Sequence, residues 1–527
     1  MTTTHAAGSA SEATQGQAND GSVSILFADP RVMVEKAEQP GCFVDLHLDQ
    51  IVSAAIAGRD EYDLAAFYYQ PLQEPDQVRY RQDALDDLQT QPVRATVVAF
   101  AEQMRLMRRY LRAAKQSRHD LQRQRWVLEA VTVYCDAARE FADALDRAEL
   151  HSDGFAAFAR YLQALVRSTA FAQLASDARA VRGEVGELEY TINIKGAHVQ
   201  VDAYTGDDEL APKVQETFAR FAQREARDYR WRFKELAGLN HVEEQVLDCI
   251  ARVFPEPFGR LRDFCRRYAH PFDEPVLRFD REVQFYLGYL QFIEPLIKSG
   301  LALSRPELNA GAQVYAEAGF DLSLAVKLAA EGREPVTNDF RLDDPERVLV
   351  VTGPNQGGKT TFARMVGQVH YLASLGLPVP AAKASLALPD RVFTHFEREE
   401  SLSTLRGKFE DELVRIHEIL EAATGRSVLV MNESFGSTTL ADGLLVGSEI
   451  VRQIIDLGSV CLFVSFIDEL ATLGPETVSM MSTVVAEDPA QRTFRIERKP
   501  ADGLAYAVAL ANKHRVGYED LRQRIAS

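Results

Sequence analysis

From about Ser22 to Glu331 the chain runs in long stretches rich in Ala, Leu, Arg, Glu and Gln, with apolar residues recurring every three or four positions. That spacing gathers them on one face of a helix and predicts a mainly helical region over residues 22–331. One stretch breaks the period. In LEYTINIKGAHVQVDAY the apolar positions alternate through Leu188, Tyr190, Ile192 and Ile194, the chain turns at Lys195-Gly196, and alternation resumes with Val199, Val201 and Ala203. This predicts a β-hairpin near 188–204. After about Pro335 the pattern changes to short apolar runs, RVLVVTG, SVLVMNE and VCLFVSF, separated by helical stretches through Leu375 and Ile455. Alternation of this kind means βαβ units on a largely parallel sheet buried on both faces. The expected fold is therefore multidomain, a helical region followed by an α/β domain over 332–527. Residues 1–21 are small and polar without an apolar period and are expected to be a disordered tail.

The first α/β run leads into chemistry. VLVVTGPNQGGKTTF holds Gly353, four intervening residues, then Gly358-Lys359-Thr360, the complete phosphate-loop pattern, between a predicted strand and a predicted helix. Gly353, Pro354, Asn355, Gln356, Gly357 and Gly358 are expected to curl backbone N–H groups around phosphates, with Thr360 and Thr361 opening the helix whose N-terminus favours anions. Lys359 should reach the β and γ phosphates and the Thr360 hydroxyl should bind magnesium. One crossover later, the strand Val428 to Met431 ends in Asn432-Glu433 at the edge where a parallel sheet meets its ligand. Asn432 is the expected magnesium-side residue, and Glu433 the residue that orients and deprotonates water.

Composition narrows the partners. Of 527 residues, 46% are hydrophobic and 26% charged, ordinary globular values for a chain of several domains. The formal net charge of −18 excludes a surface coated for nucleic acid, so any DNA contact must be a local patch. The arginine-rich stretch from Ala101 to Ala130 is a candidate patch, although its basic residues spread over more than one helix face and read first as a solvated helix. Five cysteines lie far apart without a Cys-x-x-Cys pair, which reads as isolated thiols in a reducing compartment. No run approaches the roughly 18 apolar residues of a membrane span, and no leader is evident, so a cytoplasmic protein without a membrane partner is expected. His370, His395, His417 and His514 share no metal-ligand spacing, and no Gly-x-Ser-x-Gly elbow is present.

VTGPNQGGKTTFAR, LVMNESFGSTTLADG and ADGLAYAVALANKHRVGYEDL together resemble the ATPase domain of the MutS family of DNA mismatch-repair proteins. Asp442-Gly443 stand where that family has Asp-Gly after the strand acids, and YYQPLQEPDQVRYRQDALDDLQ is similar to the start of its helical core. The resemblance covers about Asp45 to Arg524, strongly in the last third. It implies an ABC-like P-loop domain, ATP with Mg2+, a homodimer closed around nucleotide, and helical levers that couple nucleotide to a grip on mismatched or branched DNA. The family's N-terminal mismatch reader is expected to be missing, since only the polar tail and about twenty residues precede the core.

Three departures lie inside the site. Asn432 replaces an Asp, Phe466 stands where the family has a histidine, and LRGKF, Leu405 to Phe409, replaces the segment that a partner subunit offers to the phosphates. Asn keeps an oxygen but loses the charge, and Phe466 cannot sense a γ-phosphate. Lys408 is the candidate trans cation. Slow hydrolysis is the leading expectation. A nucleotide-gated scaffold with little hydrolysis and an ATPase acting on a protein partner without DNA are the alternatives.

Overall fold

The structure is a computed structural model that describes residues 23–204 apart from 35 and 197, then 206, 241–309, 313–397, 407–436, 438–485 and 488–501. The expected tail over 1–21, His514 and most of the ADGLAYAVALANKHRVGYEDL segment lie outside the described residues.

The first half is helical. Four short helices, α1 (Cys42–Asp45), α2 (Leu48–Ile56), α3 (Ala65–Tyr69) and α4 (Pro75–Gln89), precede two long ones, α5 (Gln91–Gln116) and α6 (Asp120–Asp146). Next come α7 (Asp153–Arg167) and α8 (Thr169–Gly186), each opened by a serine whose hydroxyl accepts a first-turn N–H. The hairpin β1 (Tyr190–Lys195) and β2 (His198–Ala203) interrupts them, with Lys195 opposite His198. Helices α9 (His241–Val253), α10 (Pro255–Arg267) and α11 (Glu274–Lys298) follow.

Aromatic residues fill this half. Phe158 and Phe279 stack with centroids 3.8 Å apart, and Phe100 stacks on Phe141 at 4.3 Å. Helix α11 buries Asp280, Glu282 and Gln284, whose side-chain oxygens accept from Arg108, Ser24 and Arg59. Glu282 accepts from Ser24 Oγ at 2.8 Å and Ile25 N at 2.8 Å, which ties the N-terminal strand of chain to the core.

Several arginines of the stretch are paired with acids, one of them inside the fold and the others at its surface. Arg108 reaches the buried Asp280 at 2.7 Å and lies over the Tyr62 ring, while Arg112, Arg123 and Arg125 pair with Glu61, Asp120 and Glu129. Burial pushes the Asp280 carboxyl up to about 6 against the pull of Arg108. These pairings leave the stretch a weak candidate for a DNA-facing stripe.

Two sheets make up the rest. The smaller has the order β3 (Glu307–Asn309), β7 (Lys383–Ala387), β4 (Val314–Gly319), β5 (Asn338–Leu342). The expected boundary at 331/332 cuts through it, because β3 and β4 lie upstream and pair with β7 and β5. Residues 307–319 thus belong with the sheets and not with the helices.

The larger sheet has the order β12 (Asp488–Arg498), β11 (Thr477–Val485), β6 (Val348–Thr352), β10 (Val460–Val464), β9 (Val428–Asn432), β8 (Val392–Phe396). All neighbours run parallel except β11 and β12. Strands β6 and β9 are buried along their whole length, as continuous Val/Leu runs require.

Between helices and sheets lies α13 (Lys359–Ser374), preceded by α12 (Leu322–Ala330) and followed by α14 (Lys408–Ala422) and α15 (Leu440–Leu457). Almost all of α13 is buried. Gln368 donates to Leu46 O and Asp321 Oδ1, each at 2.9 Å, and accepts from Leu322 N at 2.8 Å. Tyr371 Oη donates to Tyr68 O at 2.9 Å, and Leu72 N to Ser374 O at 2.8 Å. A Cβ on Gly367 would come within 2.4 Å of Leu46, so the α13 backbone packs directly on the chain before α2.

Candidate nucleotide site

The loop after β6 needs left-handed backbone at Gly353 (φ 110), Gln356 (φ 60) and Gly358 (φ 91). Glycine adopts this freely, whereas Gln356 carries strain. The loop also rests on β11. A Cβ on Gly353 would lie 2.9 Å from Ser482 O, and one on Gly357 2.1 Å from Ser482 Oγ, which itself donates to Gly357 O at 2.8 Å. The result is a tight concave turn against the N-terminus of α13, whose first N–H groups have no partner within the helix.

Lys359 is buried at this turn. Its Nζ donates to Gly353 O at 2.9 Å, Pro354 O at 3.1 Å and Asn355 Oδ1 at 3.4 Å. Burial lowers its pKa, the charge of Glu433 opposes that shift, and the like charge of Arg492 adds to it. The ammonium is thus held by neutral acceptors of its own loop, which anionic phosphate oxygens outcompete.

At the end of β9, Asn432 lies opposite Val464 of β10 and Phe396 of β8. Asn432 Oδ1 is buried without a hydrogen-bond partner, as is Thr352 Oγ1 at the end of β6. Such an orphaned acceptor costs about 1–3 kcal/mol and fits a hydrogen bond from water bound to a magnesium ion. Glu433 follows in left-handed backbone (φ 57), its N–H donating to Val464 O at 3.1 Å, and Phe435 is also left-handed (φ 68). Two strained residues in three turn the chain sharply away from the sheet, and the Glu433 side chain lines the same cleft as Lys359, Thr360 and Thr361.

That cleft has a volume of about 390 Å3. Beyond the phosphate loop the cleft is lined by the apolar Leu324, Leu328, Val336 and Phe494, interspersed with Arg333, Glu334 and Asn338, and Phe494 sits beside Gly358. Phe494 is a half-exposed aromatic in left-handed backbone (φ 60), held by Asn338, whose Nδ2 donates to Phe494 O at 3.1 Å and whose Oδ1 accepts from Ile496 N at 2.7 Å. One amide thereby laces β5 to β12. Sequence reading missed this wall, because the residues come from two distant segments, 324–336 and the strand that holds Phe494, whose apolar character reads as ordinary core.

Residues 349–514 match the family model of MutS domain V. Over those residues the chain is similar to MutS domain V. The matched span takes in the phosphate loop, Asn432-Glu433, Phe466 and Phe494, and MutS domain V is the family's nucleotide-binding domain. MutS proteins bind ATP with magnesium and act as dimers on DNA. The helical half, residues 23–298, lies outside the matched span.

Within this MutS domain the departures have definite places. Phe466 is half exposed just past β10, beside the buried Ser465. Of the LRGKF segment only Gly407, Lys408 and Phe409 are described, and Lys408 pairs with Glu397 of its own chain. Asn432→Asp restores the acid at a position whose side-chain oxygen is buried without a hydrogen-bond partner. Desolvation should then cost on the order of 1–3 kcal/mol, so the variant should melt lower without Mg2+ and gain more than the wild type from Mg-ATP. Equal gains in the two proteins would place Asn432 away from the metal.

Proposed function

We propose that this MutS-like protein binds Mg-ATP in the cleft between the phosphate loop and Phe494, hydrolyses it slowly, and couples the nucleotide to DNA binding as a homodimer in repair or recombination. The observation that carries the reading is the convergence of Lys359, Thr360 and Glu433 on one cleft that also has an apolar wall. Phosphates fit the loop and the α13 N-terminus; the adenine fits against Phe494 and Val336.

Gly353 to Gly358 and Thr361 cradle the phosphates, and the domain is read as an ABC-like P-loop unit. Lys359 leaves the loop carbonyls for the β and γ oxygens, and Thr360 and Asn432 would hold a magnesium ion and its water. Magnesium, when bound, neutralises charge that develops on the phosphate oxygens. Glu433 orients a water and takes its proton as the oxygen attacks the γ phosphorus and the bond to the β-phosphate oxygen breaks, releasing ADP and phosphate.

Dimerisation has support in Leu440, Leu445 and Phe466, large apolar residues exposed on the segments that follow β9 and β10. Among the described residues no helix is long and apolar enough to cross a membrane. Lys408 is proposed to exchange Glu397 for the phosphates of a partner subunit.

The test is a titration of mismatched, branched and plain duplex DNA with and without Mg-ATP, at low salt and at rising salt. Nucleotide-dependent, salt-sensitive binding is expected; no binding at low salt and no response to nucleotide would remove the DNA role. The same titration with Lys408→Ala, run beside an ATPase assay, disposes of the trans contact if affinity and turnover are unchanged. Asn432 and Phe466 favour one further reading, a scaffold closed by ATP without multiple turnover, which the ATPase assay separates.

A further inference from the structure

We infer that Arg492 is a second cation of this site, contacting the terminal phosphate of a nucleoside triphosphate from within the same chain. The inference rests on the reading of the cleft as an ATP site and assigns a residue that no phosphate-loop pattern contains.

Arg492 reaches the loop because β11 and β12 form a hairpin across it. The ladder pairs Val484 with Arg492, and its register shifts on both sides of Val484. Such irregularities re-aim side chains, and on this hairpin they accompany the seating of Ser482 under Gly357 and of Phe494 beside Gly358.

The Arg492 Nε donates to Asn355 O at 3.2 Å. Lys359 Nζ donates to Asn355 Oδ1 at 3.4 Å. Two cations therefore meet on one residue of the loop, Asn355. Like charges brought together repel, and a polyphosphate between them relieves that repulsion. The loop N–H groups and the α13 N-terminus take the inner phosphates, and a P-loop lysine reaches the β and γ groups, so a guanidinium on the loop residue that the lysine also contacts is placed to meet the outermost phosphate. Arginine is suited to this because its planar fork donates to two phosphate oxygens at once.

The test is equilibrium binding of fluorescent ATP and ADP analogues, with magnesium, to the wild type and to Arg492→Ala, Arg492→Gln and Arg492→Lys. Arg492→Ala and Arg492→Gln should weaken the triphosphate about tenfold or more and the diphosphate by less than about threefold, with Arg492→Lys recovering part of the loss. Melting temperatures without nucleotide should stay together, which separates lost contact from lost fold. Equal weakening of both nucleotides, or none, overturns the role of Arg492 while leaving the ATP site standing. A wild type that binds neither nucleotide overturns both.

Discussion

Replacing Glu433 with alanine is expected to lower ATP turnover by about a hundredfold or more while leaving ATP affinity within about threefold. The asymmetry follows from position. Asn432 has an oxygen but no basic character, and the neighbouring hydroxyls of Thr352 and Thr360 cannot accept a proton at neutral pH. In the proposed mechanism Glu433, which lines the cleft together with Glu334, is the base, because it follows Asn432 at the end of β9 and its charge already acts on Lys359. Binding rests on other groups, the loop N–H donors, Lys359 and the apolar wall. Single-turnover and steady-state ATPase rates, with affinity measured separately, check the split. Turnover unaltered in Glu433→Ala would show that the proton leaves by another route.

Arg81→Ala should destabilise the protein by about 3–5 kcal/mol, among the largest losses expected of any single change. Arg81 is wholly buried on α4. Its Nε donates to Leu26 O at 3.0 Å and its Nη1 to Leu375 O at 3.2 Å, and its guanidinium lies over the rings of Phe27 and Phe285. Burial pushes its pKa down to about 10, which measures how poorly the site solvates the charge. Alanine would leave a large cavity and strand two carbonyls, while methionine keeps much of the volume and removes the desolvated charge. Arg81→Met should therefore cost about half as much as Arg81→Ala, or less. Urea denaturation of both variants checks this; a methionine variant as unstable as the alanine one would mean that the two hydrogen bonds, and not volume, hold the site.

The strand, loop and helix of the candidate phosphate site were legible from short-range pattern. The loop Gly353 to Thr361 must be glycine-rich, must follow a strand and must open a helix, and all three requirements are local. The strand ending at Asn432 was legible for the same reason, as a continuous apolar run. The small sheet was not. Strand β3 is only three residues long and pairs with β7 more than seventy positions away, so no periodicity announces it. The roles of Asn338, Arg492 and Phe494 were hidden likewise, since each depends on β12 reaching back over the loop. Nor could charge counting reveal that Arg108 is turned inward onto Asp280, a partner that lies 172 positions further along the chain.

Helix α13 ends where Arg81 grips the carbonyl of Leu375, and it begins at the lysine meant for phosphate. Gln368 and Tyr371 fasten its middle to Leu46 and Tyr68, so the rod has little slack along its length. A ligand that locks the first turn of α13 must also slow the opening of whatever is bolted to the remainder. Nucleotide should therefore announce itself at a distance, as slower amide exchange in the segment from Cys42 to Gln89, which lines no part of the nucleotide cleft.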